Sequence, residues 1–270
     1  MVEKIFAFIL GSIFGSFLNV CIHRMPEEGY SLVKPGSHCP HCKKPVLWHD
    51  NIPLLSYLLL GGKCRFCKQP IRLRYFIVEL LTAGIFLLFY NYFGLTFNFV
   101  MYLIFACGLI VATFIDIQHR IIPDEISVGG IVVGFILSVI KGAGFSPFTF
   151  NFAPMINSLL GIIIGGGIIF SIGYLFDLVY FKILKKPPIQ GETESMGGGD
   201  VKLLAMIGAF LGWERALLTF FIAPFFGAVV GVINIMVKKD HTIPYGPFLS
   251  LAAILSLFWA DKIIGLIFVR

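Results

Sequence analysis

Two aspartates stand at the edges of apolar runs, where their type and position point most directly to chemistry. Asp116 ends the apolar run from Phe97 to Ile115 and is followed by Ile117-Gln118-His119-Arg120-Ile121-Ile122-Pro123-Asp124. Asp200 follows Gly197, Gly198 and Gly199 and opens another apolar run. A carboxylate inside or at the edge of a membrane costs roughly 2.5–3.5 kcal/mol on insertion scales, so its presence points to function. Two carboxylates held close cannot both ionise and therefore share a proton. The ionised member draws a proton from water while the protonated one polarises a carbonyl, which is aspartic proteolysis without a metal or a nucleophilic serine. The glycines before Asp200 are expected to permit positive φ and close backbone approach, so that a substrate strand lies against the site.

Plainer roles suit the same residues. Asp116 is one helical turn from Arg120, at ion-pair spacing, and Asp200 suits a helix N-cap. Asp124, directly after Pro123, reads as a first-turn or capping residue of the next helix. Glu79 and Asp177 fall in or near apolar runs, with Arg72 or Arg74 and Lys182 as candidate partners, and are open to either role.

A second constellation is made of cysteines. Cys39-Pro-His-Cys42 and Cys64-Arg-Phe-Cys67 each turn two thiolates toward one point, and two such turns complete a tetrahedral zinc site. With four sulfur ligands that zinc is structural and activates no water. Redox pairing is the competing reading, but no thioredoxin-like βαβ pattern surrounds either pair. His38, His41 and His49 are nearby and are not needed. Cys21 and Cys107 sit singly in apolar runs and read as packing residues.

The elements that must position these residues are membrane helices. Of the 270 residues 57% are hydrophobic and 13% charged, against about 25% charged in soluble domains. Apolar runs fall at about 5–22, 76–93, 98–115, 126–140, 156–181, 201–213, 216–237 and 246–268. A span needs roughly 20 apolar residues. The run at 201–213 is short, about 20 Å as a helix; the helix begins earlier, the bilayer is thin there, or the segment is re-entrant. The expected fold is all-α and polytopic, with about eight transmembrane helices. Nine of the 21 Lys and Arg lie between Arg24 and Arg74, the positive-inside signature of a cytoplasmic loop. The N-terminus is then outside, and the first run is a retained helix, not a cleaved signal. With that orientation Asp116 and Asp200 both lie at cytoplasmic helix ends, at similar depth. The basic residues form no amphipathic stripe and no recognised binding module, which argues against nucleic acid. Residues 1–22 form the first helix, 23–75 a cytoplasmic four-Cys module resembling a zinc ribbon, and 76–270 the membrane domain; no internal repeat is apparent.

Taken together, these motifs resemble the bacterial type IV prepilin peptidases, whose GxGD motif marks a membrane aspartyl protease. The resemblance runs through Gly15-Ser16-Phe17-Leu18-Asn19-Val20 with Arg24, both C-x-x-C pairs, Trp48, and Asn51-Ile52-Pro53-Leu54-Leu55-Ser56-Tyr57. It continues through Gly61-Gly62-Lys63, Arg74-Tyr75 with Glu79, Asp116 with Pro123-Asp124, Gly197-x-Gly199-Asp200-x-Lys202, and Ile243-Pro244-Tyr245-Gly246-Pro247-Phe248. It implies that Asp116 and Asp200 are the catalytic pair and that Gly197 and Gly199 support them. It also implies that prepilin or pseudopilin leaders are cut at the cytoplasmic face of the inner membrane. Methylation of the new amino terminus from S-adenosylmethionine is implied as well, at the Cys-bearing loop with Gly62 and Lys63. One departure is length between the aspartates, with extra residues around Phe145–Phe152 and Pro187–Glu194. Repulsion between a basic leader and the basic 23–75 loop is expected to be offset by Glu27, Glu28, Asp50, Glu192 and Glu194. Two other readings remain: a related protease with a different single-span substrate, and a proton-coupled transporter with a zinc-ribbon docking module, although transporters usually carry repeats or paired broken helices.

Overall fold

The computed structural model describes residues 1–27, 29, 31–144, 151–185, 197–238 and 243–268. Nine α-helices are formed among these: α1 (Val2–Arg24), α2 (Leu55–Leu59), α3 (Leu73–Phe93), α4 (Phe97–His119), α5 (Asp124–Ala143), α6 (Ala153–Asp177), α7 (Gly198–Leu211), α8 (Trp213–Lys238) and α9 (Gly246–Phe268). The only strand-like pairing among the described residues is two isolated bridges in the 25–72 segment. All of these helices except α2 and α7 are long and apolar enough to cross a membrane, seven in all. The chain is thus an all-helical, multi-pass membrane protein. Glu28, Glu192, Glu194 and most of the two extra stretches between the aspartates lie outside the described residues.

The chain divides into two compact units, Met1–Val111 and Ala112–Arg270. In the first, α1 and α3 run antiparallel. Gly11 meets Ala83 and Phe86, and Gly15 meets Glu79 and Thr82. One turn further along, Asn19 Nδ2 donates to the Tyr75 carbonyl at 3.0 Å. Small residues on one face let the two backbones approach, as in membrane helix pairs generally, while Ile5, Phe6, Ile9, Ile13 and Phe17 stay exposed. The helix α3 stops at Gly94, whose φ of 60° suits glycine and whose N–H caps the Tyr90 carbonyl at 2.9 Å.

The second unit is organised around α7, whose residues from Leu203 to Leu211 are all buried. Its contacts give its direction. Gly161 of α6 faces Gly208, and Gly165 faces Leu204, so these helices are antiparallel. Gly130 and Gly134 of α5 face Met206 and Phe210, so α5 and α7 are parallel. Ser158 Oγ donates to the Ala209 carbonyl at 2.8 Å, satisfying a buried hydroxyl across the α6–α7 seam. The helices α8 and α9 are antiparallel, joined by Thr219 Oγ1 to Ser256 Oγ at 3.1 Å and by Arg215 with Asp261.

The short apolar run at 201–213 therefore folds as α7, starting a little earlier than the run itself. Its 14 residues make about 21 Å. Its tip, Gly212, lies against Asn157 at the start of α6. The next helix thus begins at the opposite end of the unit from Asp200, although among the described residues only seven of the eight expected spans are long enough to cross. Where Gly161 and Gly208 meet, a Cβ on Gly208 would sit 2.0 Å from the Gly161 carbonyl oxygen, closer than any real contact. Gly208→Ala is expected to force α6 and α7 apart at a cost of about 1–3 kcal/mol. Gly167→Ala, where a Cβ meets nothing within 4 Å, should leave the melting temperature in detergent unchanged.

Candidate active site and metal centre

Three helix ends and one linker of the second unit converge on the two aspartates. Asp116 lies in the last turn of α4 and is 5% exposed. Its Oδ2 accepts the backbone N–H of Gly246, the first residue of α9, at 2.8 Å. The first N–H groups of a helix have no intrahelical acceptor, and a carboxylate at that end is favoured by the helix dipole. This bond requires a glycine, because a Cβ on residue 246 would lie 2.7 Å from the Asp116 Oδ2.

Asp200 sits in the first turn of α7, outside the seven long spans. The N-cap is Gly197, and no side chain caps this helix end, so Asp200 is not performing the capping role its position also allowed. Burial, and then the charge of Asp116, push its carboxyl up to about 7. The Asp200 carboxyl thus feels the charge of Asp116. Tyr245 feels Asp200 as well: its phenol is pushed up to about 12 by burial and then by the charge of Asp200, while the next residue, Gly246, donates to Asp116.

The glycines before Asp200 act differently from expectation. Gly197 has φ −64°, and neither it nor Gly199 is among the positive-φ residues. Gly199 instead allows close approach to Ile122, where a Cβ would meet the isoleucine Cβ at 3.1 Å. Gly199 thereby seats the linker before α5 against α7. That arrangement also explains Asp124, the first residue of α5, which pairs with Lys202 one turn into α7 at 2.6 Å. Asp177 and Lys182 line a cleft of about 310 Å³ with Tyr174, Leu178 and Phe181, where α6 passes into a π-helical turn.

In the first unit the four cysteines come together as the spacing predicts. The Sγ atoms of Cys39, Cys42, Cys64 and Cys67 all lie within 4.8 Å of one another, with Cys39 and Cys67 3.7 Å apart. Tetrahedral zinc–thiolate geometry with bonds of about 2.3 Å calls for sulfur separations of about 3.8 Å, so the donor set fits zinc. No disulfide is formed among the described residues. The backbone N–H groups of Cys67 and Phe66 draw the Cys64 thiol down to about 6, favouring thiolate.

The two knuckles are copies of one another. In each, the N–H of the first cysteine bonds a carbonyl five residues on, Lys44 or Gln69, and Lys43 or Lys68 takes positive φ. The bridges His38 with Pro45 and Lys63 with Pro70 close both. The sequence carries this repeat as C-x-x-C-K-x-P at 39–45 and 64–70. It overturns the expectation of no internal repeat, the unit being too short to stand out against the chain around it. Asp50, expected to counter a basic substrate, is instead bound by Arg65 at 2.6 and 2.5 Å, and that guanidinium holds its carboxyl below the usual range. Gly62, with φ 66°, packs against Tyr57, whose Cζ would be 3.0 Å from a Cβ there, and Lys63 is exposed. Glu79, buried, accepts the N–H of Leu54 at 2.8 Å.

Sequence reasoning gave no role to Gly246 and Tyr245, which appeared only within a motif. Their signal was a Pro-Tyr-Gly-Pro run opening an apolar helix, and it becomes specific only once Asp116 is seen beside it. If the four thiolates hold zinc, the purified protein will carry about one zinc per chain by atomic absorption. Cys39→Ser or Cys64→Ser will release it and expose 38–70 to protease.

Residues 9–93 match the bacterial peptidase A24 N-terminal domain and 103–232 the type IV leader peptidase family. The chain is 35% identical to a prepilin leader peptidase/N-methyltransferase of Pseudomonas aeruginosa, over 94% of this chain and 90% of that one. To proteins of the same name it is 33% identical in Stutzerimonas stutzeri, over 95% and 91%, and 32% in Aeromonas hydrophila, over 95% and 90%. No solved structure matches. Two family models laid end to end and relatives about a third identical along nine-tenths of their length leave one conclusion: the chain belongs to the type IV leader peptidase family.

Proposed function

We propose that this protein is an endopeptidase of the inner membrane that removes the leader of prepilins or pseudopilins and then methylates the new amino terminus. The observation that carries the peptidase reading is the half-buried Asp200 carboxyl, pushed up to about 7 by desolvation and then by the charge of Asp116, while the buried Asp116 accepts the Gly246 N–H. One carboxyl keeps its proton and the other does not. The ionised member takes a proton from the attacking water, the protonated one donates to the scissile carbonyl oxygen, and the roles reverse as the amine leaves. The Gly246 N–H stabilises negative charge on Asp116, making it the better candidate for the ionised member.

Cleavage at a membrane edge fits the substrate class. A prepilin presents an apolar helix in the bilayer and a charged leader outside it, so the cut point lies at the level of helix ends. The density of Lys and Arg between residues 24 and 74 supports a cytoplasmic face for this end. The zinc of the four-Cys module would be structural. For methyl transfer, S-adenosylmethionine supplies the methyl group. Its carboxylate end suits the exposed ammonium of Lys63 on a turn of positive-φ glycines, Gly61 and Gly62. A transporter draws no support from the three relatives named above, each of which carries a peptidase name.

Asp116→Asn and Asp200→Asn should each lower leader cleavage about 10²–10⁴-fold, as removal of a positioned acid–base group does, with folding intact by circular dichroism. Gly246→Ala should also reduce cleavage, by crowding Asp116. The pH profile is set by Asp200. Its proton is retained below about 7 and lost above, so the single-proton state disappears and the cleavage rate falls as pH rises through that value. A rate that climbs steadily to pH 9 would exclude this assignment.

A further inference from the structure

Glu79 is an acidic group that the peptidase chemistry does not use. It is 9% exposed and is fixed on α3 where Gly15 of α1 comes closest; a Cβ on Gly15 would lie 2.7 Å from the Glu79 Cα. Its Oε2 accepts the Leu54 N–H at 2.8 Å. Leu54 has φ 61° and ψ −52°, a conformation that a branched L-residue rarely adopts and that persists only where the surroundings enforce it.

From Leu54 onward the chain is tied step by step to the Gly62-Lys63 turn. Leu54 is the N-cap of α2. The turn entering α2 is closed by Ser56, whose Oγ accepts the Ile52 N–H at 3.2 Å and donates to the His49 carbonyl at 2.9 Å. Tyr57 of α2 accepts the Gly62 N–H on its carbonyl at 2.8 Å, and its ring packs on Gly62. Gly62 in turn accepts the Ile71 N–H at 2.7 Å, leading back into α3. A membrane helix therefore reaches the second cysteine knuckle through this carboxylate and through the Tyr57 ring, which packs on Phe76 of α3 with ring centroids 5.2 Å apart.

We propose that Glu79 is a positioning residue for methyl transfer: by accepting the Leu54 N–H it holds α2, and through Tyr57 the Gly62-Lys63 turn, in one place relative to α3. This rests on the assignment of methyl transfer to that turn under the proposed function. The strain at Leu54 is the reason an acceptor is needed there, and it supplies the control. Glycine takes positive φ freely, so Leu54→Gly removes much of the dependence on Glu79, which is the logic of a double-mutant cycle.

The test uses the full-length protein in lipid nanodiscs with a prepilin and S-adenosylmethionine. Cleavage and methylation are followed separately by mass spectrometry, and backbone amide exchange is measured across residues 51–63. Glu79→Ala is expected to lower methylation about tenfold, the effect of losing a charge-assisted hydrogen bond, chiefly through a raised KM for S-adenosylmethionine. Cleavage should stay within about twofold, and amide exchange at 54–62 should rise. Glu79→Gln, which keeps one acceptor, should fall between wild type and Ala, and Glu79→Ala with Leu54→Gly should recover part of the loss. Unchanged methylation and exchange in Glu79→Ala, or cleavage lost by the same factor as methylation, overturns the inference. A wild-type protein that cleaves without ever methylating overturns the methyl-transfer reading instead, a result visible before any Glu79 variant is made.

Discussion

The direct contact of backbone with backbone between α6 and α7, at Gly161 and Gly208, fixes the position of everything else in the second unit. Side chains at those positions would hold the helices apart. Without them α7 is enclosed, with Gly130 and Gly134 admitting Met206 and Phe210 from the α5 side. In a bilayer there is no hydrophobic gain from hiding apolar surface from lipid, so close packing of small residues and shared hydrogen bonds must hold helices together. Ser158 donating to the Ala209 carbonyl adds such a bond beside the glycine contact. The consequence for chemistry is partial desolvation: Asp200 in the first turn of α7 is half-buried, and desolvation is the leading cause of its raised carboxyl.

Burial alone would make a poor catalytic pair, since two desolvated carboxyls would both prefer their protons. The asymmetry comes from helix ends. Asp116 receives the N–H of the first residue of α9, while the helix end that carries Asp200 has no side-chain cap. One fold thus treats two chemically identical groups differently, which is how environment assigns acid and base roles elsewhere. The Asp124 and Lys202 ion pair lies exposed at the same end and ties the start of α5 to α7. An exposed pair of this kind contributes little to stability; its effect is to fix relative register beside the aspartates.

The first unit solves a different problem. A polar segment rich in proline and short of apolar residues cannot build a core of its own, and small modules of that kind depend on a staple. Four thiolates supply one at the knuckles. Glu79 supplies another attachment from the membrane side, through Leu54. Both act on the short stretch between Leu54 and Cys64, so the Gly62-Lys63 turn is set from two directions.

The limits of the long helices were legible from the amino-acid sequence because length and apolarity decide them locally: the apolar runs at 5–22, 76–93 and 246–268 became helices within a few residues of those bounds, while the short α2 was not foreseen and seven, not eight, of the described helices are long enough to cross. The C-x-x-C pairs were legible because a metal site writes its ligands at fixed short spacing. The two aspartates stood out because charge at a membrane edge is costly wherever it occurs. The glycines of the 197–199 run were half-read: neither Gly197 nor Gly199 takes the expected positive φ, while Gly199 does serve closeness, to Ile122. Gly246 beside Asp116 and Leu54 beside Glu79 join residues far apart in the chain through backbone N–H groups, which nearly every residue possesses and no sequence can single out. Composition and spacing thus determined what kinds of groups this protein carries and which helices hold them; the tertiary packing alone decided which donor each carboxylate meets, because that depends on distances across the fold, not along the chain.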